Sequence, residues 1–124
     1  MPNVRSHRDL VAWQKAMDFV VAIYRATDRL PVDERYGLTS QIHRAVVSIP
    51  SNMAEGHGRT STSEFLHFLS IARGSLCELE TQILSAERLS YLSGDVRDDL
   101  LRQADEVGRL LRGLTRSLSS RRDS

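Results

Sequence analysis

Between Phe65 and Ala86 the residues Phe65, Leu69, Ala72, Leu76, Leu79, Ile83 and Ala86 recur at alternating steps of four and three without a break. That spacing is the heptad seam of a helix packed along its length against other helices. The segment carrying it, about Thr62 to Tyr91, opens on Ser61-Thr-Ser-Glu64. This is a capping box, in which the serine bonds the backbone at Glu64 and the glutamate reaches back. At a rise of about 1.5 Å per residue the helix is roughly 45 Å long. A helix of that length with one apolar seam needs partners of similar length, and the rest of the chain supplies three.

The first runs from about Asp9, a candidate N-cap, to Leu30, with Leu10, Trp13, Met17, Val20, Tyr24 and Thr27 as its stripe. Pro31 stops it, because the residue before a proline is pushed out of helical geometry. The second runs from about Asp33 to Glu55, with the stripe Leu38, Ile42, Ala45, Ile49 and Met53, and ends at Gly56 and Gly58. Pro50 lies inside it, removes a backbone donor and predicts a kink near Val46, where Ser48 or Ser51 is positioned to satisfy the freed carbonyl. The last runs from about Asp95 to Leu118, with Val96, Leu100, Ala104, Val107, Leu111, Leu114 and Leu118 inward. Gly108 and Gly113 interrupt it at about 1 kcal/mol each relative to alanine, which predicts close backbone approaches.

Four amphipathic helices on short connections predict an all-α, up-down-up-down four-helix bundle with a kinked second helix. Strand-like alternation is absent, and 124 residues suffice for one domain. The expected layout is a flexible N-terminus over 1–8, the bundle over 9–118 and a frayed tail over 119–124. The polar N-terminus lacks an apolar leader core, and no apolar run is long enough to span a membrane. Cys77 is the sole cysteine, so no intrachain disulfide forms, and a cytoplasmic location is expected. A net charge of +1 gives no global attraction to nucleic acid.

The third helix is apolar beyond its seam. Leu66, Cys77 and Leu84 lie about 90° from it, and Phe19 lies off the stripe of the first helix. These four are the candidate subunit interface of a homo-oligomer. Arg44, Ser48, Ser51, Asn52 and Glu55 make a polar stripe on the second helix, which reads either as a ligand surface or as a structural network with Arg73, Glu78 and Glu80 of the third. Arg102, Arg109, Arg112 and Arg116 share one outward face of the last helix, diluted by Asp98 and Asp105, with Arg121 and Arg122 beyond. They are candidate contacts to the phosphates of RNA or DNA, against the plainer reading of a solvated helix face. Glu64-Phe-Leu-His67 has the Glu-x-x-His spacing of di-iron bundles, but only one such unit exists where two are needed. Metal ligands, cofactors and catalytic residues are therefore not assigned, and no glycine-rich phosphate loop or nucleophile elbow is present.

Several motifs resemble one bacterial family. They are Asp9-Leu10 with Trp13-Gln14-Lys15-Ala16, Tyr36-Gly37-Leu38-Thr39-Ser40-Gln41-Ile42, Ser48-Ile49-Pro50-Ser51-Asn52 with Ala54-Glu55-Gly56, Phe65-Leu66 with Ala72-Arg73-Gly74-Ser75, Glu78-Leu79-Glu80-Thr81-Gln82, and Val107-Gly108-Arg109 with Leu114. Taken jointly they resemble the four-helix-bundle proteins encoded within intervening sequences of bacterial large-subunit ribosomal RNA genes. The resemblance implies a left-handed bundle assembled into a ring-like homopentamer, and it brings no settled biochemical activity. A related group, the accessory variability protein of diversity-generating retroelements, is also a pentamer of bundles and binds reverse transcriptase and nucleic acid. The function expected is a non-enzymatic, self-assembling binding protein. The alternatives are a purely protein-binding scaffold and a metal-dependent bundle built around His67.

Overall fold

The computed structural model describes residues 6–123. Four helices, α1 (Val11–Thr27), α2 (Leu38–His57), α3 (Thr62–Arg88) and α4 (Gly94–Asp123), follow one another, with short 3₁₀ turns at His7–Asp9 and Val32–Glu34. Each helix packs on its neighbour in sequence and α1 closes the square against α4. Cross-helix contacts run antiparallel throughout. Tyr24 near the end of α1 stacks on His43 near the start of α2, Ser48 meets Ser75, and Arg97 meets Glu87. The expected up-down-up-down bundle is therefore the fold.

The α3 seam holds. Leu69, Ala72, Leu76, Leu79, Ile83 and Ala86 are buried and Phe65 packs against them. They meet Ile42, Ala45, Val46, Ile49 and Met53 of α2 and Leu100, Ala104, Val107, Leu111 and Leu118 of α4. Removing such side chains from water stabilises the fold by roughly 1.5–3 kcal/mol each.

The inward face of α1 differs from the expected stripe. Ala12, Ala16, Phe19, Ile23 and Ala26 are buried at steps of four and three, and of the expected stripe only Thr27 is buried with them, while Trp13 and Val20 are partly buried against the core. Phe19, expected at a subunit interface, is only 1% exposed and belongs to the core. Met17 and Tyr24 of the expected stripe are exposed. The physical reason is size. Two apolar faces compete on this helix, and the narrow one, with alanine at three of five positions, is the one that fits inside a four-helix square.

Helix ends also shift. Asp9 is not the cap of α1. It sits in the 3₁₀ turn, where Ser6 Oγ accepts from the Arg8 amide at 3.2 Å, and Leu10 occupies the cap position without a side-chain bond. Of the expected flexible segment 1–8, residues 6–8 thus have a defined turn and 1–5 lie outside the described residues. Residues 119–123, expected to fray, continue α4. The segment before α2 folds separately as the Val32–Glu34 turn. Its Glu34 carboxylate accepts from the Leu38 amide at 3.3 Å and from the Tyr91 hydroxyl at 3.0 Å. A carboxylate at the start of α2 is favoured by the exposed amides and the helix dipole. The same hydrogen bond is the first cause of the raised Tyr91 pKa.

Helix α3 ends three residues before Tyr91. Ser90 takes φ +65°, with its amide bonded to the Glu87 carbonyl and the Tyr91 amide to the Ala86 carbonyl, both at 2.9 Å. These two bonds define a Schellman ending, in which the left-handed residue is usually glycine. Serine there carries a Cβ penalty of order 1 kcal/mol. Ser90→Gly is expected to raise stability by about 0.5–1 kcal/mol in chemical denaturation, with unchanged helicity. A loss of stability would mean that the serine side chain contributes more than its backbone strain costs.

Pro50 lies within α2 and is buried. The hydroxyl of Ser48 turns across to α3, 2.8 Å from Ser75 Oγ, and Asn52 Nδ2 donates both to that hydroxyl at 2.9 Å and to the Ser48 carbonyl at 2.8 Å. Ser48 is thus engaged between helices rather than at the carbonyl freed by the proline. A Cβ at Gly108 would meet only side chains, the Arg112 guanidinium of its own helix at 3.2 Å and Leu76 of α3 at 3.4 Å, and nothing lies within 4 Å of one at Gly113, so neither glycine marks the close backbone approach expected.

Candidate functional site

The expected polar network divides into local pairs. Among the described residues, Ser48, supported by Asn52, makes a hydrogen-bonded link from α2 to Ser75 of α3, and Ser75 was not among the residues expected in this network. Glu55 pairs with Arg59, just beyond the C-terminus of α2, at 2.6 Å. Glu78 accepts from Gln82 at 3.2 Å, also within its helix. Glu80 turns toward α4 instead. Burial first, then the neighbouring Asp105, pushes its pKa up, and Arg112 pulls it down. Arg44 and Arg73 are exposed, and no ion pair among the described residues includes either. Sequence spacing could not divide the set, because its residues occupy two adjacent helices and only the rotation of those helices decides which face each other.

On α3, Cys77 is exposed, Leu84 is 40% exposed, and Leu66 is half-buried against the core. An outward apolar strip therefore remains at three of the four candidate interface positions. A second one, on α1, includes Met17 and Val21, and sequence reasoning missed it by assigning the Met17 face to the core.

Arg102, Arg109, Arg112 and Arg116 are exposed on α4. Arg102 is paired with Asp99, and Asp98 is taken up by Arg97 at 2.9 Å, so less negative charge is free on this face than the sequence suggested. From Val107 to Arg122 the helix carries arginine at 109, 112, 116, 121 and 122 and no carboxylate. At about 100° per residue, Arg121 falls about 100° or more around the helix from the other four, and Arg122 lies about 80° from Arg112, so Arg121 lies off that stripe and Arg122 at its edge.

Glu64 and His67 are both exposed, with His67 edge-on to Phe68 at 5.4 Å. They face away from the bundle interior, where a di-iron site would need them. No group of three or more metal-ligating side chains occurs among the described residues. No described helix is long and apolar enough to cross a membrane.

The described residues thus form an all-α four-helix bundle. The chain belongs to the family of 23S rRNA-intervening sequence proteins, whose model matches residues 8–113. A crystal structure of a protein of unknown function from the S23 ribosomal protein family of Bacteroides thetaiotaomicron superposes with a TM-score of 0.79 at 23% identity, over 86% of this chain and 96% of that one. That likeness establishes the fold alone. No curated protein matches the chain.

Proposed function

We propose that this protein is a non-enzymatic, self-assembling cytoplasmic bundle, a ring of five copies whose α4 arginines meet the phosphates of RNA or DNA. The observation that carries the reading is the pair of unlike outward apolar faces: Leu66, Cys77 and Leu84 on α3, and Met17 with Val21 on α1. A ring with an odd number of copies is built from head-to-tail contacts, so each subunit must present two different surfaces. The resemblance to pentameric bundles supports the number. The acid-free run of α4 after Val107 supports the polyanion, and repetition around a ring would multiply a weak contact.

Light scattering should give about five times the 14.0 kDa chain mass at micromolar concentration. Leu84→Asp and Val21→Asp, each changing an exposed residue, should each yield helical monomers. A wild-type monomer would end the assembly reading. Binding to RNA or DNA should weaken log-linearly with salt and vary little with sequence, because phosphates carry no base identity. Arg109→Glu with Arg116→Glu should abolish it at unchanged mass. Failure of the wild-type protein to shift either nucleic acid at low salt would leave a protein-binding scaffold.

A further inference from the structure

A groove of about 560 Å³ runs along the junction of α1 and α2. Its lining includes Tyr24, Arg35, Tyr36, Ser40, His43 and Arg44, with two guanidiniums and no carboxylate on its walls. No ion pair among the described residues occupies Arg35 or Arg44. Arg35 instead lies over the ring of Tyr36, 4.9 Å from its centroid, and that ring is 86% exposed. A tyrosine so exposed makes little use of its apolar face within the monomer.

The other aromatic wall is fixed. Tyr24 and His43 stack with centroids 3.8 Å apart and planes within 11°. The Thr27 hydroxyl donates to the Tyr24 carbonyl at 3.1 Å and lies 2.8 Å from His43 Nε2. Because its one proton goes to the carbonyl, it accepts from Nε2–H, which leaves Nδ1 as an acceptor. Burial lowers the His43 pKa, and nearby Asp28 opposes this to a lesser degree, so the surroundings favour the neutral ring. The groove therefore joins fixed positive charge from two arginines, flat aromatic surface, and the Ser40 hydroxyl. Guanidinium forks match phosphate oxygens in geometry, and a planar base stacks on tyrosine. The carboxylates around the groove lie outside its lining: Glu78 lines an adjacent groove that Arg44 also lines, and Asp28 acts on His43.

We propose that the groove between α1 and α2 binds a nucleoside phosphate, with Arg35 and Arg44 on the phosphate and the base against Tyr36 and the Tyr24–His43 stack. The site does not depend on the assembly or on the α4 arginines. The ligand is either a free nucleotide or the phosphorylated end of a single strand, and the two share this chemistry.

The test is isothermal titration of the full-length protein with ADP, pyrophosphate, adenosine and a 5′-phosphorylated single-stranded octanucleotide. ADP should bind at least tenfold more tightly than pyrophosphate or adenosine. Arg44→Gln and Tyr36→Ala, both at exposed positions, should each weaken ADP at least tenfold with unchanged circular dichroism. Arg109→Glu with Arg116→Glu should leave it unchanged. An octanucleotide that binds as ADP does, with the same sensitivity to Tyr36→Ala, assigns the site to strand ends; binding of ADP alone assigns it to free nucleotide. Pyrophosphate binding as tightly as ADP would overturn the proposal, as would indifference to Tyr36→Ala or no heat from any probe at millimolar concentration and low salt.

Discussion

Phe19→Ala is expected to lower the unfolding free energy by about 3–5 kcal/mol, the range for deleting a phenyl ring from a packed core. The ring is 1% exposed at the centre of the α1 inner face, between Ala16 and Ile23 along the same seam. A cavity there opens inside the helical square, where neighbours relax only in part. Equilibrium urea denaturation reads the effect directly. The midpoint should fall with little change in slope, and the loss should be independent of protein concentration. If Phe19 instead met another copy, the loss would grow on dilution and light scattering would show dissociation before unfolding. Tyr24→Ala provides the contrast. Its ring is exposed on the outer face of the same helix, so its effect on unfolding should stay below about 1 kcal/mol.

That pair of residues marks the limit of what the sequence made legible. The seams of α2, α3 and α4 were readable because one stripe of large side chains stands out on each: Ile42, Ile49 and Met53; Leu69, Leu76 and Leu79; Leu100, Val107 and Leu111. Helix α1 has large apolar residues on two faces. Periodicity finds both, and only the space left by the other three helices selects the alanine-rich one. Cap chemistry was legible where one side chain decides, as at Ser61, whose hydroxyl accepts from the Glu64 amide at 3.1 Å. It was not legible at Ser90, where a left-handed serine ends α3 in the position glycine usually takes, nor at Glu34, whose partner Tyr91 lies 57 positions away. The candidate surfaces followed the same rule. The α4 arginines were visible as a face, because spacing along one helix determines it. The groove at His43 was not, because Tyr24, Arg35 and Arg44 converge only once α1 and α2 are set side by side.

Gly56→Ala should destabilise the protein by about 1–3 kcal/mol, the cost of forcing atoms into a filled interior, although alanine is the better helix former by about 1 kcal/mol. The α2–α3 hairpin brings the two backbones together at this point. A Cβ on Gly56 would stand 2.8 Å from the Phe68 Cβ, 2.9 Å from the Phe65 ring and 3.2 Å from the Phe65 carbonyl oxygen. Two of those atoms, the Cβ and the carbonyl, are fixed to the α3 backbone and cannot swing away, so the helices themselves must separate at the end of the hairpin. Gly74→Ala isolates the propensity contribution, because nothing lies within 4 Å of a Cβ there. It should gain up to about 1 kcal/mol in the monomer. Thermal melts of the two variants at matched concentration should therefore move in opposite directions from wild type. A shift of both upward would mean that α3 yields at Phe65 and Phe68 more readily than its packing implies. A fall in Gly74→Ala with loss of oligomer mass would place another copy against that part of α3.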